Sequence, residues 1–277
     1  MSVRSSDEAS QDVLVRPAPV ADARLAYGPG PGQFGDLRLP PGAGPHRLVI
    51  VLHGGFWRAA YDLAHSGHLC AALAAAGLAT WSLEYRRVGQ PGGGWPGTVH
   101  DVALGAAFVG ELARRYPLAA RGVVVLGHSA GGHLALWLAA HAGRPIDAAA
   151  AVPVRLDLAG VVALAGVTDL RSAAQARLGR GAVQDFLGGE PDVHPERYAA
   201  ASPLERLPLG CRQVLVHGAE DATVPIEQSE RYCATAQAQG DAARLERLAG
   251  TGHFEVIDPA SAAWPAVQAA VMGLVEA

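Results

Sequence analysis

From about Ala23 onward the chain alternates short runs rich in Val, Leu and Ile with longer stretches rich in alanine. The runs Phe34 to Leu39, Arg47 to Leu52, Ala79 to Glu84, Val123 to Gly127, Gly160 to Leu164, Gln213 to His217 and Arg244 to Leu248 predict strands. Most are continuously apolar, which is the pattern of strands buried on both faces of a parallel sheet. Between them, Gly67 to Ala76, Thr98 to Arg115, Ala130 to His141, Ile226 to Gln239 and Ser261 to Val275 place Ala, Leu and Val at three- and four-residue spacings and predict helices. Strand and helix in alternation predict an α/β fold, a mostly parallel central sheet with helices on both faces. Two segments break the rhythm. Val88 to Gly97 is crowded with Gly and Pro and predicts a loop, and Asp169 to Pro208 is a long insertion with weak helical signals, expected to form a small helical cap. No internal repeat or linker divides the rest, so residues 23–277 read as a single domain preceded by a flexible N-terminal segment, residues 1–22.

The length of 277 residues suits one such domain. Composition then removes whole classes of chemistry. All 22 cationic side chains are arginines, so mechanisms that need a lysine amine, such as Schiff-base formation or a P-loop lysine, are excluded. The arginines are scattered, the net charge is −4 and the pI is 6.2, so there is no basic stripe to neutralise phosphates and no nucleic-acid partner is expected. No apolar run approaches the roughly 18–20 residues that cross a bilayer. Met1 to Asp12 mixes Ser, Asp, Glu and Gln without the apolar core of a signal peptide, so no membrane association and a cytoplasmic location are expected. Cys70, Cys211 and Cys233 show no CxxC spacing. His65 with His68 and His128 with His133 lack an HExxH or a carboxylate cluster, and no GxGxxG follows the first strand; no metal and no cofactor are expected. A monomer and a homodimer both fit.

The strongest chemical signal is Gly127-His128-Ser129-Ala130-Gly131, a G-x-S-x-G pattern. In a chain with 34 glycines that pattern alone is weak, and its context decides. The strand Val123-Val124-Val125-Leu126 runs directly into it and a helix begins at Ala130, so the backbone must turn sharply where only small neighbours fit. A serine on such an elbow projects its hydroxyl above the sheet. The Ala130 amide sits at a helix N-terminus, where developing negative charge is favoured. The alternative is a serine that merely caps the helix. His53-Gly54-Gly55-Phe56-Trp57 follows the strand Val49-Ile50-Val51-Leu52, and its two glycines let backbone approach a bound carbonyl oxygen. Gly55 and Phe56, with Ala130, are the expected oxyanion-hole donors, and His53 is expected to brace the loop.

A serine hydroxyl needs a base, and the base needs a carboxylate to orient it. Behind an elbow nucleophile the order is Ser, acid, His, with acid and base on loops after the last two strands. Those loops are Gly218-Ala219-Glu220-Asp221 and Ala249-Gly250-Thr251-Gly252-His253, so position selects Asp221 and His253. Glu220 competes with Asp221 for the acid. His128 and His133 lie too near the elbow to approach Ser129 from the required side and read as local packing or hydrogen-bonding residues.

Taken together, His53 to Trp57, Glu84-Tyr85-Arg86-Arg87 with Gly92 to Gly97, Gly127 to His133, His217 to Pro225 and Gly252-His253-Phe254 resemble the α/β-hydrolase superfamily. The resemblance is narrower to the hormone-sensitive-lipase-like esterases and the kynurenine formamidases, which share an HGGxW loop. Phe56 stands where hormone-sensitive-lipase relatives usually carry a third glycine, which leans the resemblance toward the formamidase-like branch. It implies a cofactor-free serine hydrolase with Ser129, Asp221 and His253 as triad, cleaving a small carboxylic ester or an N-formyl or aryl amide through an acyl-enzyme. Aromatic residues make up only 6% of the chain, yet Trp57, Trp95 and Phe254 fall in or beside the site loops and are expected to form an apolar or aryl substrate pocket; the alternative is that they pack those loops. The competing functions are a small-molecule-binding protein that uses a hydrolase scaffold without turnover, and a small-peptide hydrolase.

Overall fold

The computed structural model describes residues 11–143 and 153–276. Its frame is an eight-stranded sheet made of β1 (Ala23–Ala26), β2 (Phe34–Arg38), β3 (His46–Leu52), β4 (Ala79–Leu83), β5 (Leu118–His128), β6 (Leu158–Leu164), β7 (Gln213–Gly218) and β8 (Ala243–Leu248). The spatial order is β1-β2-β4-β3-β5-β6-β7-β8. β2 is antiparallel to β1 and β4, and the remaining pairs are parallel. The continuously apolar strands have a simple cause: β3 sends Leu48, Ile50 and Leu52 into one core and Val49 and Val51 into another across the sheet. Edge strands differ. β8 exposes Arg244 and Arg247, charges that protect an open edge. β1, absent from the strands predicted above, is four residues long and is held by a cross-strand pair, Arg24 Nε and Nη2 donating to Asp36 at 2.7 and 2.9 Å, rather than by an apolar run.

The helices are α1 (Asp12–Val15), α2 (Gly67–Ala75), α3 (Gly97–Ala107), α4 (Val109–Arg115), α5 (Ala130–His141), α6 (Leu170–Gln175), α7 (Leu178–Leu187), α8 (Pro195–Ala201), α9 (Glu227–Ala238) and α10 (Trp264–Val275). The stretch predicted as one helix over Thr98 to Arg115 is two, parted at Phe108, whose ψ of −13° leaves the α-helical value. Every residue of α5 is buried, so this helix is enclosed on all sides rather than amphipathic. The insertion folds as α6, α7 and α8 with a 3₁₀ turn at Pro203–Arg206, as its weak periodicity predicts, and α7 is interrupted near its start, where Gly179, Arg180 and Gly181 have positive φ.

The N-terminal expectation needs correction. Residues 1–10 of the segment expected to be flexible lie outside the described residues. Beyond them the chain is anchored: α1 places Val13 fully buried in the core that contains Leu69, Val256 and Ile257, and Arg16 Nη2 lies 2.6 Å from Asp258 Oδ1. The polar run Met1 to Asp12 is followed at once by the apolar anchor, Val13. No described helix is long and apolar enough to cross a membrane.

Candidate active site

Ser129 sits between β5 and α5 with φ +56° and ψ −119°, a conformation that costs an L-residue on the order of 1–3 kcal/mol. The surroundings impose it. The Ser129 amide donates to the Leu164 carbonyl of β6 at 2.8 Å, and the Ser129 carbonyl accepts from the amides of His133 at 3.1 Å and Val167 at 3.4 Å. The flanking glycines are steric necessities. A Cβ on Gly127 would lie 1.9 Å from the Gly131 carbonyl oxygen, and one on Gly131 would lie 2.0 Å from that of Leu52. The elbow therefore packs directly on the end of β3, beside the loop that follows it.

That loop carries three successive positive φ values, +107° at Gly55, +52° at Phe56 and +56° at Trp57. The Gly54 amide donates to His65 Nε2 at 3.3 Å. The amides of Gly55, Phe56 and Ala130, the expected oxyanion donors, have no acceptor among the described residues. Beneath the loop, His53 braces it as expected. Its Nδ1 donates to the Gly54 carbonyl at 2.8 Å, its Nε2 lies 3.1 Å from Glu84 Oε1, and its ring stacks on Tyr85 with centroids 4.3 Å apart. The Tyr85 hydroxyl donates to the His53 carbonyl at 2.7 Å. Burial works to raise the Glu84 carboxyl, but the hydrogen bond from His53 and the charges of His53 and Arg87 outweigh it and hold the group below its ordinary range. His65, considered above only as half of a metal pair, has a structural task here. Burial, then the neighbouring His53, pushes its pKa down to about 3, so its Nε2 lone pair stays free to accept the Gly54 amide.

Acid and base converge from the loops after β7 and β8. His253 Nδ1 donates to Asp221 Oδ2 at 2.7 Å. The Asp221 side chain is fully buried, and its Oδ1 accepts the amides of Thr223 and Val224, each at 2.8 Å. A second imidazole, His217 Nε2, lies 3.2 Å from Oδ2, while its Nδ1 meets Ser229 Oγ at 2.7 Å. Burial would raise the Asp221 carboxyl; the hydrogen bonds from His217, His253 and the Val224 amide prevail and keep it well below the usual carboxylate range. Glu220 is exposed, and only its amide is engaged, on the Thr251 carbonyl at 3.0 Å. Of the two candidate acids it is Asp221 that meets the histidine.

His128 is a local hydrogen-bonding residue with a consequence for the base: its Nε2 lies 2.9 Å from the His253 carbonyl, and the two rings tilt together with centroids 4.6 Å apart. Burial, then the proximity of His253, holds His128 well below the ordinary histidine pKa, so it is neutral with its proton on Nε2. His133 is likewise structural. Its Nδ1 accepts from Trp57 Nε1 at 3.2 Å and its Nε2 donates to the Ala201 carbonyl at 2.9 Å.

Ser129 and His253 line one cavity of about 40 Å³, together with Leu14, Gly55, Phe56, Tyr61, His65, His128, Thr223 and Phe254. The Ser129 hydroxyl makes no hydrogen bond to the ring in this geometry; contacts of this kind tighten when substrate binds. Two of the three expected substrate-pocket residues are elsewhere. Trp57 is fully buried and stacks on Phe186 at 4.7 Å, and Trp95 meets the edges of Trp137 and Phe186 at 6.4 and 6.3 Å. Both join the insertion to the body, which is the packing alternative. Phe254 does line the cavity. The insertion supplies none of the lining residues; it reaches the site through Gly179, where a Cβ would lie 2.7 Å from the Phe56 ring. Leu14, Tyr61, His65, Thr223 and His217 are the site residues that sequence reasoning missed. Of these only His217, adjoining the acid loop, carried a signal.

The family model described as BD-FAE matches residues 36–235. Esterase LipC of Mycobacterium tuberculosis is 29% identical over 250 residues, an alignment covering 86% of this chain and 60% of that protein, so the chain spans about three fifths of that relative's length. Among solved structures, esterase B from Lactobacillus rhamnosis superimposes with a TM-score of 0.82 at 16% identity, covering 98% of this chain and 91% of that one. The butyrate-bound esterase Est2 from Thermogutta terrifontis does so with a TM-score of 0.73 at 20% identity, covering 94% of each. These structural likenesses show the α/β-hydrolase fold. The family model spans more than half of the sequence and includes the elbow and the oxyanion loop, so the chain belongs to the BD-FAE family.

Proposed function

We propose that the protein is a serine carboxylesterase that hydrolyses esters of short acyl groups through an acyl-enzyme on Ser129. The observation that carries the reading is the Asp221–His253 pair opening into the cavity that also holds Ser129. Ser129 Oγ attacks the ester carbonyl carbon while His253 Nε2 takes its proton, and Asp221 holds the Nδ1 proton and stabilises the imidazolium. The Gly55, Phe56 and Ala130 amides receive the oxyanion. His253 returns its proton to the departing alkoxide, and a water activated by the same imidazole then releases the acid and restores Ser129.

Size supports a short acyl group. A water-sized group needs roughly 10–15 Å³ of such space, so a cavity of about 40 Å³ takes about three, the heavy-atom count of an acetyl group. The butyrate bound in Est2 is also a short acyl chain, two carbons longer than acetyl. The esterase among the relatives favours an ester over an aryl formamide; the rings that line the cavity, Phe56, Tyr61 and Phe254, would suit an aryl group in either. The test is a panel of p-nitrophenyl acetate, butyrate and octanoate beside N-formylkynurenine, with fluorophosphonate labelling of Ser129. Acetate and butyrate esters are expected to turn over fastest, and Ser129→Ala to lose labelling and on the order of 10⁶ in kcat. If Ser129→Ala keeps a tenth of the activity, the proposal fails.

A further inference from the structure

We infer that the N-terminal strap, residues 12–16, is the wall that sets the size of the acyl pocket, with Leu14 as its specificity-determining residue. This rests on the esterase reading above and adds to it the structural origin of the short-acyl preference. Among the described residues that line the cavity, Leu14 is the only aliphatic one, the other apolar surfaces being the rings of Phe56, Tyr61 and Phe254. It belongs to neither the sheet nor the insertion, so the wall is contributed by a separate piece of chain laid across the site.

The strap is held at two points beside Leu14. Val13 is fully buried in the core with Val256 and Ile257, and Arg16 Nη2 lies 2.6 Å from Asp258 Oδ1. Val256, Ile257 and Asp258 follow His253 and Phe254 with only Glu255 between, so the strap is docked to the segment that presents the base. Leu14 is thereby fixed against the reacting centre, while Val15 turns away with 79% exposure. Among the described residues the insertion, the expected cap, contributes none to the lining, whereas the strap contributes Leu14. An acyl chain longer than the cavity meets the Leu14 side chain, and a smaller side chain there opens space continuous with the pocket. The favoured class is accordingly esters of short acyl groups, with chain length read by residue 14.

The experiment measures kcat/KM for p-nitrophenyl acetate, butyrate and octanoate on the full chain and on Leu14→Ala, Leu14→Trp and Val15→Ala, with thermal melting as a check of folding. Each methylene that gains apolar cover is worth about fourfold. Leu14→Ala is expected to raise the butyrate-to-acetate ratio roughly tenfold, Leu14→Trp to lower it, and Val15→Ala to leave it within twofold. An unchanged ratio in folded Leu14→Ala overturns the assignment while leaving the esterase reading intact. A readout that needs no turnover separates the two claims: Ser129→Ala, with and without Leu14→Ala, is titrated with acetate and butyrate by calorimetry. A shift of the affinity ratio toward butyrate in the double variant supports the strap as the wall, and equal ratios overturn it, whatever the esters show.

Discussion

Replacing Asp221 by Asn tests the site at its most constrained atom. The carboxylate accepts three hydrogens, two from the Thr223 and Val224 amides on Oδ1 and one on Oδ2 from His253 at 2.7 Å, while His217 Nε2 lies 3.2 Å from Oδ2 and donates to the Val224 carbonyl at 2.9 Å. An Asn side chain has one acceptor oxygen and one donor nitrogen, and backbone amides cannot be turned into acceptors. The oxygen must therefore stay on the amides, which points the new NH₂ at His253 Nδ1. His253 then has to present a lone pair there and carry its proton on Nε2, the nitrogen required to receive the proton of Ser129. The base is thus held in the wrong tautomer with little change in shape. The corresponding loss in a serine triad is about 10⁴ in kcat, whereas KM for p-nitrophenyl acetate should change little because no contact to substrate is removed. Glu220→Gln is the control: its side chain is exposed, and kcat should stay within twofold. Steady-state kinetics and the rate of fluorophosphonate labelling measure both. Folded Asp221→Asn within tenfold of the parent would refute the argument that Asp221 sets the tautomer.

Three further perturbations probe the framework. Gly131→Ala puts a Cβ 2.0 Å from the Leu52 carbonyl, a clash with backbone that cannot rotate away, so the overpacking cost of about 1–3 kcal/mol or more should appear as a drop of several degrees in Tm together with lost labelling of Ser129. Acid should destabilise the fold through His65 and His133, whose pKa values burial lowers to about 3 and about 4 from an ordinary 6.5. The folded state holds these rings neutral while the unfolded chain takes up the protons, so stability present above pH 6.5 is lost as the pH falls toward the folded values. At pH 5 that is about 2 kcal/mol for each ring, and urea unfolding at pH 7 and pH 5 that gives the same free energy would exclude it. Trp57→Phe removes the donor to His133 Nδ1 and should cost about 1 kcal/mol, roughly 2–4 °C in Tm, with KM for acetate esters within twofold; a KM raised tenfold would return Trp57 to the substrate pocket.

The parts of the site legible in the sequence are those whose chemistry constrains the backbone. At the elbow, glycines at 127 and 131 are demanded by contacts of 1.9 and 2.0 Å, so the requirement is written within five residues. Asp221 and His253 were found by chain order, because the register of β7 on β8, ending at Gly218 against Leu248, brings the two following loops together. The side chains that shape the cavity are written nowhere locally. They come from the strap at residue 14, the oxyanion loop and the turn after it at 55, 56, 61 and 65, the elbow, the acid loop at 223 and the base loop at 253 and 254, and nothing within any one segment says which face it turns to the others. Trp57 shows the difficulty: it neighbours an oxyanion donor, yet the positive φ at residues 55, 56 and 57 leaves its ring in the core against Phe186, a partner 129 residues further along that no local pattern could supply. A consequence for function follows. The reacting atoms are tied to backbone geometry that tolerates almost no substitution, whereas the pocket wall rests on separate segments held by a few contacts each, such as Val13 and the Arg16–Asp258 pair. Substitutions there can retune which acyl group fits without disturbing the elbow.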